Sequence, residues 1–187
     1  MAVRVLAANY IISFSPKATV RSETWMKPRY GYAKLNVDVG FDSDKLEGSV
    51  GAVLRDHHGK FIAAANEEID ICFDSFTDEA IEVRFGMNLA RIAGCSKIEI
   101  NSASAKVIAS LIDGFSSSFA SAVFEDCYFM SLDFTRVVYE HCNRERNLVA
   151  HELARIARFS TPNFWLDSAP EAVIPFIVND ANIVMNE

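Results

Sequence analysis

A strand with a carboxylate at its centre constrains this chain more than any other feature. In Lys34–Val39 the apolar residues Leu35, Val37 and Val39 alternate with Asn36 and Asp38. A period of two marks a β-strand with one face for a core and one left polar. Aspartate is disfavoured in mid-strand, both by β-propensity and by partial burial. Asp38 therefore requires either a structural partner or a chemical role. The next words, Gly48–Asp56 (GSVGAVLRD) and Lys60–Ala65 (KFIAAA), read as two further strands joined through Asp56-His57-His58-Gly59. A short polar gap containing Gly between apolar runs is a hairpin signal. His57 and His58 fall in that turn with no third ligand nearby in sequence, and read as a solvated turn.

The remaining elements follow from periodicity and capping. Ser75–Glu79 opens a helix, capped by Ser75 or Thr77, with Asp78 and Glu79 at the positive end of its dipole. Ile81, Phe85, Leu89 and Ile92 form its expected buried stripe, and Gly94 stops it. Lys97–Asn101 is a short strand, followed by a helix of two to three turns ending near Gly114. Val123–Phe134 reads as a helix, Arg136–His141 as a strand, and Asn147 caps a helix through Phe159. Trp165 and Leu166 are expected to close over the core. Three antiparallel strands followed by strands alternating with helices imply an α/β fold, with a five-stranded mixed sheet flanked by helices.

The 187 residues, 50% hydrophobic, suffice for one globular domain. We assign residues 1–24 to a poorly ordered leader, 25–180 to the domain and 181–187 to a tail. Arg4, Lys17 and Arg21 precede the first acidic residue, Glu23, so an organelle address is the minority reading of the leader. No apolar run reaches the length of a membrane span, and no membrane partner is expected. A net charge of −7 and a pI of about 5.1 oppose generic nucleic-acid binding, so any basic footprint must be local. The four cysteines show no CxxC or zinc spacing and read as reduced thiols of an intracellular, nuclear or cytoplasmic protein.

The words LNVD (35–38), GAVLRD (51–56), DEAIE (78–82) and HCNRERNLVAHELAR (141–155), in this order, resemble the ribonuclease H domain of plant non-LTR retroelements. Trp25-Met26-Lys27-Pro28 matches the aromatic-plus-proline entry of that family. The resemblance spans about Trp25 to Asp180. It implies hydrolysis of the RNA strand of RNA–DNA hybrids with two Mg²⁺ (or Mn²⁺) ions about 4 Å apart. Such chemistry needs several converging anionic oxygens, because Mg²⁺ is a hard cation.

Carried over by motif, Asp38 and Glu79 are the first two metal ligands. His151 stands where the family has an aspartate and its plant branch often histidine; imidazole suits Mn²⁺ better than Mg²⁺. His141 takes the place of a mobile histidine that helps product leave, and is a general-base or shuttle candidate. Arg144 and Arg146, with Asn147, are the implied contacts to nucleic acid. The chain departs at Asn101-Ser102-Ala103-Ser104: Ala103 holds the position of the strand-ending aspartate and cannot bind a metal. Glu99 shares its face but lies about 13 Å away along a strand. Val107–Thr135 carries no Lys or Arg, so weak, salt-sensitive binding of RNA–DNA hybrid or other nucleic acid is expected. Two readings stand: a hybrid-specific ribonuclease impaired at Ala103, or a retroelement-derived nucleic-acid-binding or interaction module without turnover.

Overall fold

The computed structural model describes residues 24–42, 47–69, 74–114 and 120–184. The expected leader (all but residue 24), Cys72, most of the Asp70–Asp74 connection, Ser116–Ser118 and the last three residues lie outside the described residues.

Strands β1 (Ala33–Asp42), β2 (Glu47–Arg55) and β3 (Phe61–Ile69) form the antiparallel meander. Helix α1 (Ser75–Ile92) leads to β4 (Lys97–Ser102), which lies parallel to β1 on its other side. Helices α2 (Ala105–Asp113) and α3 (Ser121–Ser131) precede β5 (Arg136–His141), parallel to β4. A single 3₁₀ turn, Arg144–Arg146, feeds α4 (Leu148–Ala157), and the chain continues through β6 (Asn163–Leu166) to α5 (Ile174–Val184).

The sheet has six strands, not five, in the order β5-β4-β1-β2-β3-β6. The added strand pairs antiparallel with β3, with Trp165 opposite Ala64. Trp165 turns inward and packs against the cluster of Val53, Ala64 and Leu153, as expected, whereas Leu166 is 53% exposed because it alternates to the outer face. The β2–β3 turn is held by Asp56, whose Oδ1 accepts from His58 N at 2.8 Å and Lys60 N at 2.9 Å. Gly59 closes it at φ +87°, a conformation that glycine enters without a Cβ clash.

The two faces of the sheet are covered separately. Leu35, Val37, Ala52 and Leu54 meet α1, α2 and α3 in the larger core, with Met87, Phe124 and Val107. Val53 and Ala64, on the opposite face, meet Val149, Ala150 and Leu153 of α4.

Helix α1 departs from its expected geometry at its start and along its stripe. Its cap is Asp74, not Ser75 or Thr77: Asp74 Oδ1 accepts from Phe76 N at 2.9 Å and Thr77 N at 3.0 Å. Its buried face runs through Ala80, Val83, Met87 and Ala90 and takes in Leu89 as expected, while Ile81 and Phe85 flank the core and Ile92 is 62% exposed. Small residues let the helix backbone approach the sheet, and a Cβ on Gly86 would overlap Val37.

Candidate functional site

Asp38 emerges from β1 on the α4 face and is nearly buried. Its position there depends on Gly51, the residue paired with it on β2. A Cβ on Gly51 would overlap Ala150 O and Ala154 N, so the glycine lets α4 lie directly on the sheet. The first turn of α4 then reaches Asp38. His151 Nδ1 lies 2.8 Å from Asp38 Oδ2. Asn147 occupies the cap position of α4 but makes no side-chain cap bond. Its amide instead donates to Val37 O at 2.7 Å and to Asp38 Oδ1 at 3.4 Å, and its Oδ1 accepts from Asn36 Nδ2 at 3.1 Å. Burial raises the Asp38 carboxyl above its ordinary range; the bonds and charges of His151, with Arg144 and Asn147, oppose that rise.

A second group of carboxyls comes from α1. Glu79 accepts from Ser104 Oγ at 2.5 Å, which ties α1 to the start of α2. One turn on, Glu82 is buried and accepts from Ser102 Oγ, also at 2.5 Å. Burial drives the Glu82 carboxyl well above its ordinary range; the Ser102 bond pulls against this, and the charges of Asp38 and Glu79 add to it. Burial thus favours the protonated form of Glu82. Motif comparison overlooked it, although its spacing of three from Glu79 places both on one helix face.

The end of β4 lies between these groups. Ser102 and Ser104 hold the two glutamates, while Ala103 between them contributes only a methyl group and its backbone. His141, at the end of β5, is exposed, and its Nε2 lies 3.2 Å from Ala103 O. Arg144 is exposed on the 3₁₀ turn and near enough to act electrostatically on Asp38, whereas Arg146 is half-buried and its carbonyl accepts from Asn36. Every site residue expected from the sequence is therefore found on β1, the start of α1, the end of β5, the β5–α4 connection or the first turn of α4. Asp38, Asn147 and His151 bond directly; Glu79 and His141 bond instead to the β4–α2 connection.

The donor set does not fit a two-ion Mg²⁺ centre. Asp38 has one oxygen engaged by His151 and the other by Asn147, Glu82 is buried and bonded to Ser102, and Ala103 supplies no side-chain oxygen. Among the described residues no three His, Cys, Asp or Glu side chains form a group that could hold a metal ion.

Comparison with known proteins bears on the family and the fold. No curated protein matches the chain. Among solved structures, ribonuclease H1 of Halobacterium salinarum superposes with a TM-score of 0.63 at 18% identity, over 68% of this chain and 98% of its own. The N-terminal ribonuclease H domain of a Mycobacterium tuberculosis protein, solved as a maltose-binding-protein fusion, gives 0.61 at 19%, over 67% and 92%. LC11 ribonuclease H1, solved in complex with an RNA/DNA hybrid, gives 0.61 at 16%, over 67% and 95%. At these identities the likeness establishes the fold alone. The profile of the reverse transcriptase-like family matches residues 36–157. Because that match runs from the strand bearing Asp38 to the helix bearing His151, the chain belongs to the reverse transcriptase-like family and has its ribonuclease H-like fold.

Proposed function

We propose that this chain is a nucleic-acid-binding domain of ribonuclease H type that engages RNA–DNA hybrid weakly and whose hydrolysis of the RNA strand is impaired to near background. The observation that carries this reading is the end of β4. Metal-assisted hydrolysis needs an anionic oxygen there. The chain offers Ala103, whose neighbours Ser102 and Ser104 are committed to Glu82 and Glu79. The pairing of Asp38 with His151 points the same way, since it gives the buried carboxylate a partner within the protein. Arg144, exposed beside Asp38, is the cation best placed for a phosphate, and His141 and Arg146 flank it. Net charge −7 opposes the encounter, so binding is salt-sensitive.

The test is cleavage and binding of a labelled RNA–DNA hybrid, with Mg²⁺ and separately with Mn²⁺. Wild type and Asp38→Asn should cleave at the same background rate. Ala103→Asp, which returns an anionic oxygen to the end of β4, should raise Mn²⁺-dependent cleavage above both. Arg144→Glu should weaken hybrid binding and flatten its salt dependence by about one counter-ion. Cleavage by wild type that Asp38→Asn abolishes would overturn the impaired reading. Hybrid binding that is undetectable at low salt would overturn the proposal altogether.

A further inference from the structure

Toward the start of β1, on the face that carries Asn36 and Asp38, the entry segment Trp25–Arg29 lies across β1, β4 and β5 and borders a cleft of about 230 Å³. Trp25 is 2% exposed and anchors the segment: its Nε1 donates to Asn36 Oδ1 at 2.9 Å, and the Arg55 guanidinium stacks 3.6 Å from its ring centroid. In a chain of net charge −7 the lining of this cleft is cationic, with Lys27, Arg29, Lys34 and Arg146 set against Glu99 and Glu140. The acids are already engaged. Buried Glu99 accepts from Arg29 N at 3.0 Å and pairs with Lys34 Nζ at 3.6 Å, and Glu140 accepts from Arg29 Nη2 at 3.2 Å. Lys27 is exposed and has no ion pair among the described residues. Asn101, which lines the cleft at 4% exposure, donates to Glu140 O at 3.3 Å, and its Oδ1 has no partner among the described residues.

An aromatic platform adjoins the cleft. Tyr30 is 88% exposed and meets His57 edge-on at 4.8 Å, and His57 packs on His58 at 4.1 Å. The same turn abuts the cleft wall, since a side chain at Gly59 would start 3.5 Å from the Trp25 ring and 3.6 Å from Lys27 Cε. Exposed rings beside a cationic groove are the recurring elements of single-strand recognition: bases stack on the rings while cations follow the backbone.

We propose that the cleft and the Tyr30–His57 platform bind single-stranded nucleic acid. One nucleotide enters the cleft, with its phosphate on Lys27, Arg29 and Arg146 and a base N–H directed to Asn101 Oδ1; the next base stacks on Tyr30. A duplex fits this site poorly, because its bases are paired and stacked whereas a single strand can splay one out. The inference does not rest on hybrid binding at Asp38.

The test is fluorescence anisotropy of the full chain with a labelled single-stranded hexanucleotide, with AMP and poly-glutamate as competitors and thermal melts confirming that each variant folds. Lys27→Glu should weaken strand binding about tenfold, the loss of one charge-assisted phosphate contact with added repulsion. Tyr30→Ala should weaken the strand about tenfold and leave AMP competition unchanged, because only the second base reaches the ring. Lys106→Glu, an equal charge change on α2 across the sheet, should weaken it less than about twofold. The proposal fails if the strand does not bind, if Lys106→Glu matches Lys27→Glu, if Tyr30→Ala has no effect, or if poly-glutamate displaces the strand as well as a second strand does. A chain that binds the strand but not the hybrid upholds this site and refutes the proposed function.

Discussion

Burial favours the protonated form of Glu82 because it removes the water that would solvate the charge, and the Ser102 hydroxyl only partly offsets that loss. In the unfolded chain the same group ionises near 4.5. A folded pKa above the unfolded one means that the native state binds the proton more tightly. Its stabilising effect is therefore complete below the unfolded value and is lost as pH rises through the folded value. Wild-type stability should fall as pH rises above the unfolded value, at up to about 1.4 kcal/mol per unit for one proton. Glu82→Gln keeps the shape and the contact with Ser102 but carries no titration. Thermal melts from acid to mildly alkaline pH should show the variant gaining on wild type as pH rises, with the two converging in acid. Parallel curves would mean that Glu82 does not hold the proton. Asp38, raised in the same direction by burial, leaves a smaller slope in the variant.

The face that α1 buries explains why Asp38, Glu79, Ala103 and His151 were legible in the sequence while Glu82 was not. The first four stand in words that can be compared position by position. Glu82 acquires its character only from the burial of its helix face, and that face runs through Ala80, Val83, Met87 and Ala90, with Gly86 at the closest approach, rather than through Ile81, Phe85 and Ile92. A period-based reading favours large apolar residues, whereas close approach of a helix to a sheet selects small ones. Strand β6 was missed for a simpler reason: four residues ending before Asp167, at φ +62°, are too few to display a period of two. Asn147 was placed correctly at the start of α4, yet its amide serves β1 instead of its own helix, a long-range choice that no local pattern records. The docking glycines supply the prediction at this scale. Gly51→Ala drives a methyl into the backbone of α4, which cannot rotate away, and should destabilise the fold by about 1–3 kcal/mol or more. Gly86→Ala meets side-chain atoms of Val37 and Leu35, which can shift, and should cost less. Urea titrations of the two variants decide the order.

Across the whole molecule, the buried pair Arg55–Asp180 joins the ends of the domain to its centre. Arg55 Nη1 donates to Asp180 Oδ2 at 2.6 Å, linking central strand β2 to α5, while the face of the same guanidinium carries Trp25 of the entry segment. Its Nη2 also lies 3.4 Å from Asn36 Oδ1, and Asn36 supports Asn147 and through it Asp38. Burial lowers the Arg55 pKa to about 10 and raises that of Asp180, each partner opposing the other's shift. A buried pair of this kind does not have to add stability, since desolvating two ions offsets much of their attraction; removing one partner is another matter, because it strands the other charge. Asp180→Ala should therefore destabilise the fold by about 3–5 kcal/mol, read as a lower urea midpoint. It should also loosen Trp25, read as a red-shifted tryptophan emission. Arg55→Met combined with Asp180→Leu removes both charges and keeps an apolar chain under the Trp25 ring. The double variant should recover most of that loss. A double variant as unstable as Asp180→Ala alone would show that the Arg55 hydrogen bond to Asn36, rather than the paired charges, holds the two ends of the domain on β2.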